Sequence, residues 1–219
     1  MSEKLRNVMI SGSAGRLGGL WKEARGAKRG SAVFAHPHPL HGGTLHNKVV
    51  YRAAQALTAA GWETLRFNFR GVGLSEGSHD EGRGEVEDFR AALEEAEKHG
   101  GLPLVAGGFS FGSAVALRAI QGDAGIAAFV GVGLPVGTAS GAALPLPMPW
   151  LPSLFVVGEH DAFGPPAKLR EFLAGSAAQI IEIPGTDHFF EGKLPELEAA
   201  IYGFAFSIQN PKPEIQNRA

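Results

Sequence analysis

No cysteine occurs in the 219 residues, which removes disulfides, a thiol nucleophile and thiolate metal sites at once. Charge is sparse: 19% of residues are charged and the formal net charge is −2. A nucleic-acid or anionic-membrane partner calls for a basic patch. The one dense basic stretch, residues 22–29, is interrupted by Glu23 and Gly26 and reads as a solvated turn. No apolar run approaches the roughly 18 uninterrupted residues of a membrane span. Residues 1–7 are charged and lead into only a short apolar run, which is not the pattern of a secretory leader. The expectation is a cytoplasmic protein with neither nucleic acid nor membrane as partner.

What is present is glycine and proline, 31 and 14 residues, within an ordinary apolar fraction of 44%. The length suits one domain, expected over residues 1–208, with a flexible tail over 209–219 that carries Pro211 and Pro213. Short apolar runs alternate with longer amphipathic segments, the pattern of an α/β fold in which helices flank a mostly parallel sheet. Strands are predicted at 7–11, 18–23, 31–35, 64–67, 104–107, 126–132, 154–157 and 179–183. The first two are expected to form a hairpin. Helices are predicted at 47–60, 85–99, 113–120, 166–174 and 194–206, the first closed by Gly61. Residues 70–84 are turn-rich.

The chemistry concentrates at 104–120, which reads strand, then Gly108-Phe109-Ser110-Phe111-Gly112, then helix. This is G-x-S-x-G in the context that gives it meaning. A serine on a tight strand-to-helix turn projects its hydroxyl out of the sheet, and glycines flank it where a Cβ would meet backbone. The amides at the start of the helix are free to stabilise negative charge.

A serine hydroxyl needs a base, itself oriented by an acid, and in this arrangement they follow in the order serine, acid, histidine. Only His160 and His188 lie beyond Ser110. His160 comes too early, at the end of a strand, whereas His188 follows the last predicted strand. The acid is expected after strand 154–157, where Glu159 and Asp161 are available. Asp161 is favoured, because the glycine turn lets the chain bend back first. Asp187 adjoins the base and is a weak rival, since neighbouring residues rarely face each other. For an oxyanion hole, Phe111 offers one backbone N–H and His38 the other. Pro37 and Pro39 have none to give, and Leu40 is the fallback.

On these motifs the chain resembles the α/β-hydrolase superfamily, and within it small bacterial serine hydrolases and esterases with a His-Pro-His-Pro loop. The matching residues are His36-Pro37-His38-Pro39 with Gly42-Gly43, then Asn68 to Gly73, Gly108 to Gly112, Gly158 to Asp161 and Asp187 to Phe190. The resemblance implies an eight-stranded sheet whose second strand is antiparallel, and acyl-enzyme chemistry. One departure is the lack of any segment long enough for a helical cap domain.

The expected activity is that of a carboxylesterase on short-chain esters, with a small-molecule ester as partner and no cofactor. Leu40, Leu134 and Trp150 are the candidates for a substrate pocket. Acyl transfer or peptide hydrolysis would use the same triad. A cysteine-dependent dienelactone hydrolase is excluded, and a dehalogenase would need Asp at position 110. A binding protein on this fold would normally have lost a triad member. His36, His38, His41 and His46 lack zinc-site spacing, so no metal is expected, and His36 reads as a loop anchor. Residues 12–19 lack the lysine of a phosphate loop. Arg70 is expected to pair with a nearby carboxylate.

Overall fold

Four apolar runs are buried at every residue and form the centre of one sheet: β3 (Gly30–Ala35), β5 (Leu104–Phe109), β6 (Ile126–Val132) and β7 (Ser153–Gly158). Burial on both faces explains their unbroken hydrophobicity, since helices cover a parallel sheet on either side. The computed structural model describes residues 4–138 and 144–208. The tail expected at 209–219 lies outside the described residues.

The other strands are β1 (Leu5–Gly12), β2 (Gly15–Lys22), β4 (Trp62–Phe67) and β8 (Gln179–Ile183), and the sheet order is β1-β2-β4-β3-β5-β6-β7-β8. β2 runs antiparallel to both β1 and β4, and every later pairing is parallel. An eight-stranded sheet with its second strand antiparallel is what the resemblance implied.

Helices α1 (Lys48–Ala59) and α5 (Leu194–Ser207) cover one face, packing Val49, Ala53, Leu57, Ile201 and Phe204 into one core cluster. The opposite face carries α2 (Arg83–Gly100), α3 (Phe111–Ala119) and α4 (Pro166–Phe172), which contribute Phe89, Leu93, Val115, Leu117 and Leu169 to a second cluster. Asn47 caps α1 by accepting from the Val49 and Val50 amides at 2.9 and 3.4 Å, as N-cap asparagine does. Among the described residues, no helix is long and apolar enough to cross a membrane.

Two boundaries moved from expectation for identifiable reasons. β2 begins three residues early because the hairpin closes tightly, Gly12 opposite Gly15. β5 runs two residues further, through Gly108 and Phe109, although glycine disfavours strands. Here backbone proximity overrides propensity: a Cβ on Gly108 would lie 2.4 Å from the Gly112 carbonyl carbon.

Candidate active site

Ser110 occupies the step from β5 to α3 at φ 54°, ψ −120°, a backbone state that costs a non-glycine residue about 1–3 kcal/mol. Its own backbone groups hold it there. The amide donates to Val132 O at 2.8 Å, and the carbonyl accepts from the Ser113 and Ala114 amides and from Ser113 Oγ at 2.6 Å. The glycines around it mark close approach. A Cβ on Gly108 would lie 2.4 Å from the Gly112 carbonyl carbon, and one on Gly112 would lie 2.4 Å from His36 O.

The loops after β7 and β8 bring two further groups to this hydroxyl. His188 Nε2 is 2.9 Å from Ser110 Oγ, and its Nδ1 is 2.8 Å from Asp161 Oδ2. The other carboxylate oxygen accepts from the Phe163 and Gly164 amides, both at 2.9 Å. An ionised carboxylate only accepts, so the imidazole proton sits on Nδ1 and Nε2 presents a lone pair to the serine. Asp161 is 2% exposed and His188 5%, so water does not compete for these bonds. The two loops meet backbone to backbone at Gly158, where a Cβ would lie 2.4 Å from Asp187 O.

Glu159, the other acid considered, does something different. Its Oε2 accepts from the Gly185 amide at 2.8 Å and ties down the turn that leads to His188. Asp187 accepts from the Phe189 amide.

The loop after β3 reaches the same place. His36 is fully buried, and its Nε2 lies 3.1 Å from the Phe69 amide nitrogen. An amide can only donate, so Nε2 accepts and the ring proton is on Nδ1, 2.6 Å from Pro37 O. Burial above all pushes the His36 pKa down from 6.5 to about 4, against smaller upward pulls from the Pro37 carbonyl and Glu85. The folded chain therefore holds His36 neutral while the unfolded chain takes up its proton below pH 6.5. The stability contribution is complete above that value and is lost as pH falls toward about 4, in total about 3 kcal/mol. The urea midpoint of wild type should accordingly fall more steeply from pH 7 to 4.5 than that of His36→Gln. Equal slopes would remove His36 as the cause.

Phe111 opens α3, so its amide has no acceptor within the helix. Among the described residues, neither it nor the His38 amide donates to another backbone group. The Leu40 amide instead donates to His38 Nδ1 at 3.2 Å, which takes the fallback N–H out of use.

The fold has close counterparts among known proteins. An α/β serine hydrolase homologue from Coxiella burnetii is 35% identical, with a TM-score of 0.83 over 90% of this chain and 96% of its own. A lid-free α/β serine hydrolase from Xanthomonas campestris is 30% identical, with a TM-score of 0.84 over 93% and 94%. The chain belongs to the α/β-hydrolase superfamily of serine hydrolases. An uncharacterised Rickettsia prowazekii protein is 32% identical over 217 residues, which is 93% of this chain and 90% of that one. Residues 38–141 also match the family described as serine aminopeptidase, S33.

The hydrolase's three pocket candidates differ widely in exposure. Leu134 is 1% exposed and belongs to the core cluster that also holds Val115 and Leu169, so it offers almost no surface to a substrate. Leu40 and Trp150 are exposed at 70% and 58%. Arg70 pairs with buried Asp88, Nη2 to Oδ1 at 2.7 Å and Nε to Oδ2 at 3.0 Å. Gly84 makes room for it, since a Cβ there would lie 2.0 Å from the guanidinium. That pair fastens the turn after β4 to α2.

Three further neighbours of the site, His79, Glu85 and Phe163, gave no signal in the sequence. The His38 ring lies 4.7 Å from His41, 4.9 Å from His79 and 4.9 Å from Phe111. Burial, then the nearby His79 and His41, lowers the His38 pKa. His79 Nδ1 stands 2.8 Å from Glu85 Oε1, and that carboxylate also accepts from the Asp80 and Gly82 amides. Among the described residues, no group of three or more histidines and acids is placed to hold a metal ion. Phe163, Phe189 and Phe109 surround the His188 ring.

Proposed function

We propose that this serine hydrolase is a carboxylesterase for short-chain esters, one of the small bacterial enzymes with a His-Pro-His-Pro loop. The reading rests on one observation: the hydrogen-bonded chain from Ser110 Oγ through His188 to Asp161, set on a strained turn. In the mechanism, His188 Nε2 takes the Ser110 proton as Oγ attacks the ester carbonyl carbon. Asp161 keeps the imidazole in the tautomer that can accept it and stabilises the imidazolium that forms. The Phe111 and His38 amides stabilise the oxyanion, each such donor contributing about 10²–10³ in rate. The imidazolium then protonates the departing alcohol. Water attacks the acyl-enzyme through the same base, releasing the acid and restoring Ser110.

Preference for short acyl chains follows from the segment between β6 and β7. It is too short to fold into a helical cap, and Leu134 within it is buried rather than lining a channel. Without a cap, nothing folds over a long acyl chain to enclose it. With p-nitrophenyl acetate, butyrate and palmitate, kcat/KM should be highest for the two short esters and lower for palmitate by about tenfold or more. Better turnover of palmitate would refute the short-chain assignment.

The match of residues 38–141 to a serine aminopeptidase family favours peptide hydrolysis as a second reading. Alanine p-nitroanilide in the same assay separates the two. Turnover exceeding that of p-nitrophenyl acetate would move the assignment to a peptidase.

A further inference from the structure

Two half-exposed phenylalanines stand against the imidazole. Phe163, 45% exposed, follows Asp161 by two residues, and its ring centroid is 4.6 Å from that of His188 at 45°. Phe189, 49% exposed, directly follows His188, with centroids 5.4 Å apart and planes at 86°. The inner side of the imidazole is already closed without them. Buried Phe109 lies 5.0 Å away, and a Cβ on Gly133 would come 2.9 Å from His188 Cε1. The outer pair leave about half of each ring in water, where aromatic surface gains most from being covered.

Their positions are tied to the machinery. The Phe163 amide donates to Asp161 Oδ1 at 2.9 Å, and the Phe189 amide donates to Asp187 Oδ1 at 2.9 Å. The loops that deliver the acid and the base thus each carry one ring to the open side of the imidazole.

We infer that Phe163 and Phe189 form an aromatic subsite for the leaving group, so that the favoured esters carry an arylalkyl or aryl alcohol. The inference rests on the reading of His188 as base and then acid. As the Ser110 Oγ–acyl bond forms and the acyl–oxygen bond to the alcohol breaks, the serine proton passes through His188 Nε2 to the departing oxygen. The alcohol must therefore stand beside the imidazole, whereas the acyl part is held toward the Phe111 and His38 amides. Of the rings against the imidazole, the two exposed ones, Phe163 and Phe189, can meet the alcohol. Ring pairs at these separations, tilted or edge to face, contribute about three- to tenfold each.

The test holds the acyl group constant and changes the alcohol. Benzyl acetate and ethyl acetate present alcohols of similar acidity, and wild type should favour benzyl in kcat/KM by about tenfold. Phe163→Ser and Phe189→Ser should each lower that ratio by about three- to tenfold. Disturbance of His188 cancels in the ratio, because both esters need the same base. A ratio unchanged in both variants overturns the subsite. So does a change seen only between ethyl phenylacetate and ethyl acetate, which would place the rings on the acyl side.

Saturation-transfer NMR with benzyl alcohol reads the same contact without turnover. Transfer to the aromatic protons in wild type, lost in both serine variants, supports the subsite. Its absence in wild type overturns it. Where a serine variant fails to fold, Phe163→Leu and Phe189→Leu keep the volume and carry the same ratio test. Ester hydrolysis that survives Ser110→Ala would overturn a different claim, the nucleophile itself.

Discussion

Ser110→Ala loses ester hydrolysis by about 10⁴-fold or more in kcat/KM, down to the background of the assay. The size follows from the absence of a substitute. Ser113 Oγ, in the first turn of the helix that Ser110 caps, is fully buried and committed to the Ser110 carbonyl at 2.6 Å. It cannot swing to the substrate without abandoning the bond that holds the turn. Alanine at φ 54° is strained to the same degree as serine, so the urea midpoint should stay close to that of wild type. Steady-state hydrolysis of p-nitrophenyl acetate beside urea denaturation checks both halves. Activity within tenfold of wild type in a folded variant would mean that another group forms the acyl bond.

Asp161→Asn lowers kcat by about 10³–10⁴-fold near pH 7, with KM little changed. The side-chain shape is kept, so the effect comes from a proton. Oδ1 accepts from two amides, Phe163 and Gly164, and only the oxygen of an asparagine can take that place. Its NH₂ group then faces His188 Nδ1 and donates to it, which moves the ring proton to Nε2. The imidazole now meets Ser110 with an N–H instead of a lone pair and cannot accept the serine proton. Glu159→Gln is the control, because that side chain bonds the Gly185 amide through an exposed contact and should change kcat only a few-fold, within about 1 kcal/mol. A similar loss from both substitutions, or a loss below tenfold from Asp161→Asn, would reassign the acid.

The parts of this molecule that were legible in the sequence are those set by local physics. The Gly108–Gly112 turn announces itself because the reason for each glycine lies within a few residues or in the adjoining strand. The apolar run of β6 has the expected bounds, since burial on both faces of the sheet imposes hydrophobicity along the strand itself. His188 emerged by elimination, which worked because only two histidines follow Ser110. Asp161 and Glu159 were both visible. Choosing between them used the glycine turn at Gly158, and the packing of that glycine on Asp187 O is what brings the two loops into contact.

Other features depended on which loops meet at the carboxyl end of the sheet, and no local pattern records that. Strand order puts the ends of β3, β5, β6 and β7 side by side, so residues far apart in sequence become neighbours. His38 meets His79 and Phe111 only there, and Glu85 meets His79 across the start of α2. Leu134 looked available in a proline-rich segment, yet tertiary packing drew it into the core. Nothing in the sequence linked Phe163 to Phe189, and only the closure of two loops around one imidazole set their rings against it. The sequence by itself therefore determined that Ser110, Asp161 and His188 would meet and which elements carry them, because those elements obey short-range sterics and burial periodicity. The tertiary structure alone decided what surrounds them, because contacts between loops depend on strand order and on where a missing Cβ lets backbones meet.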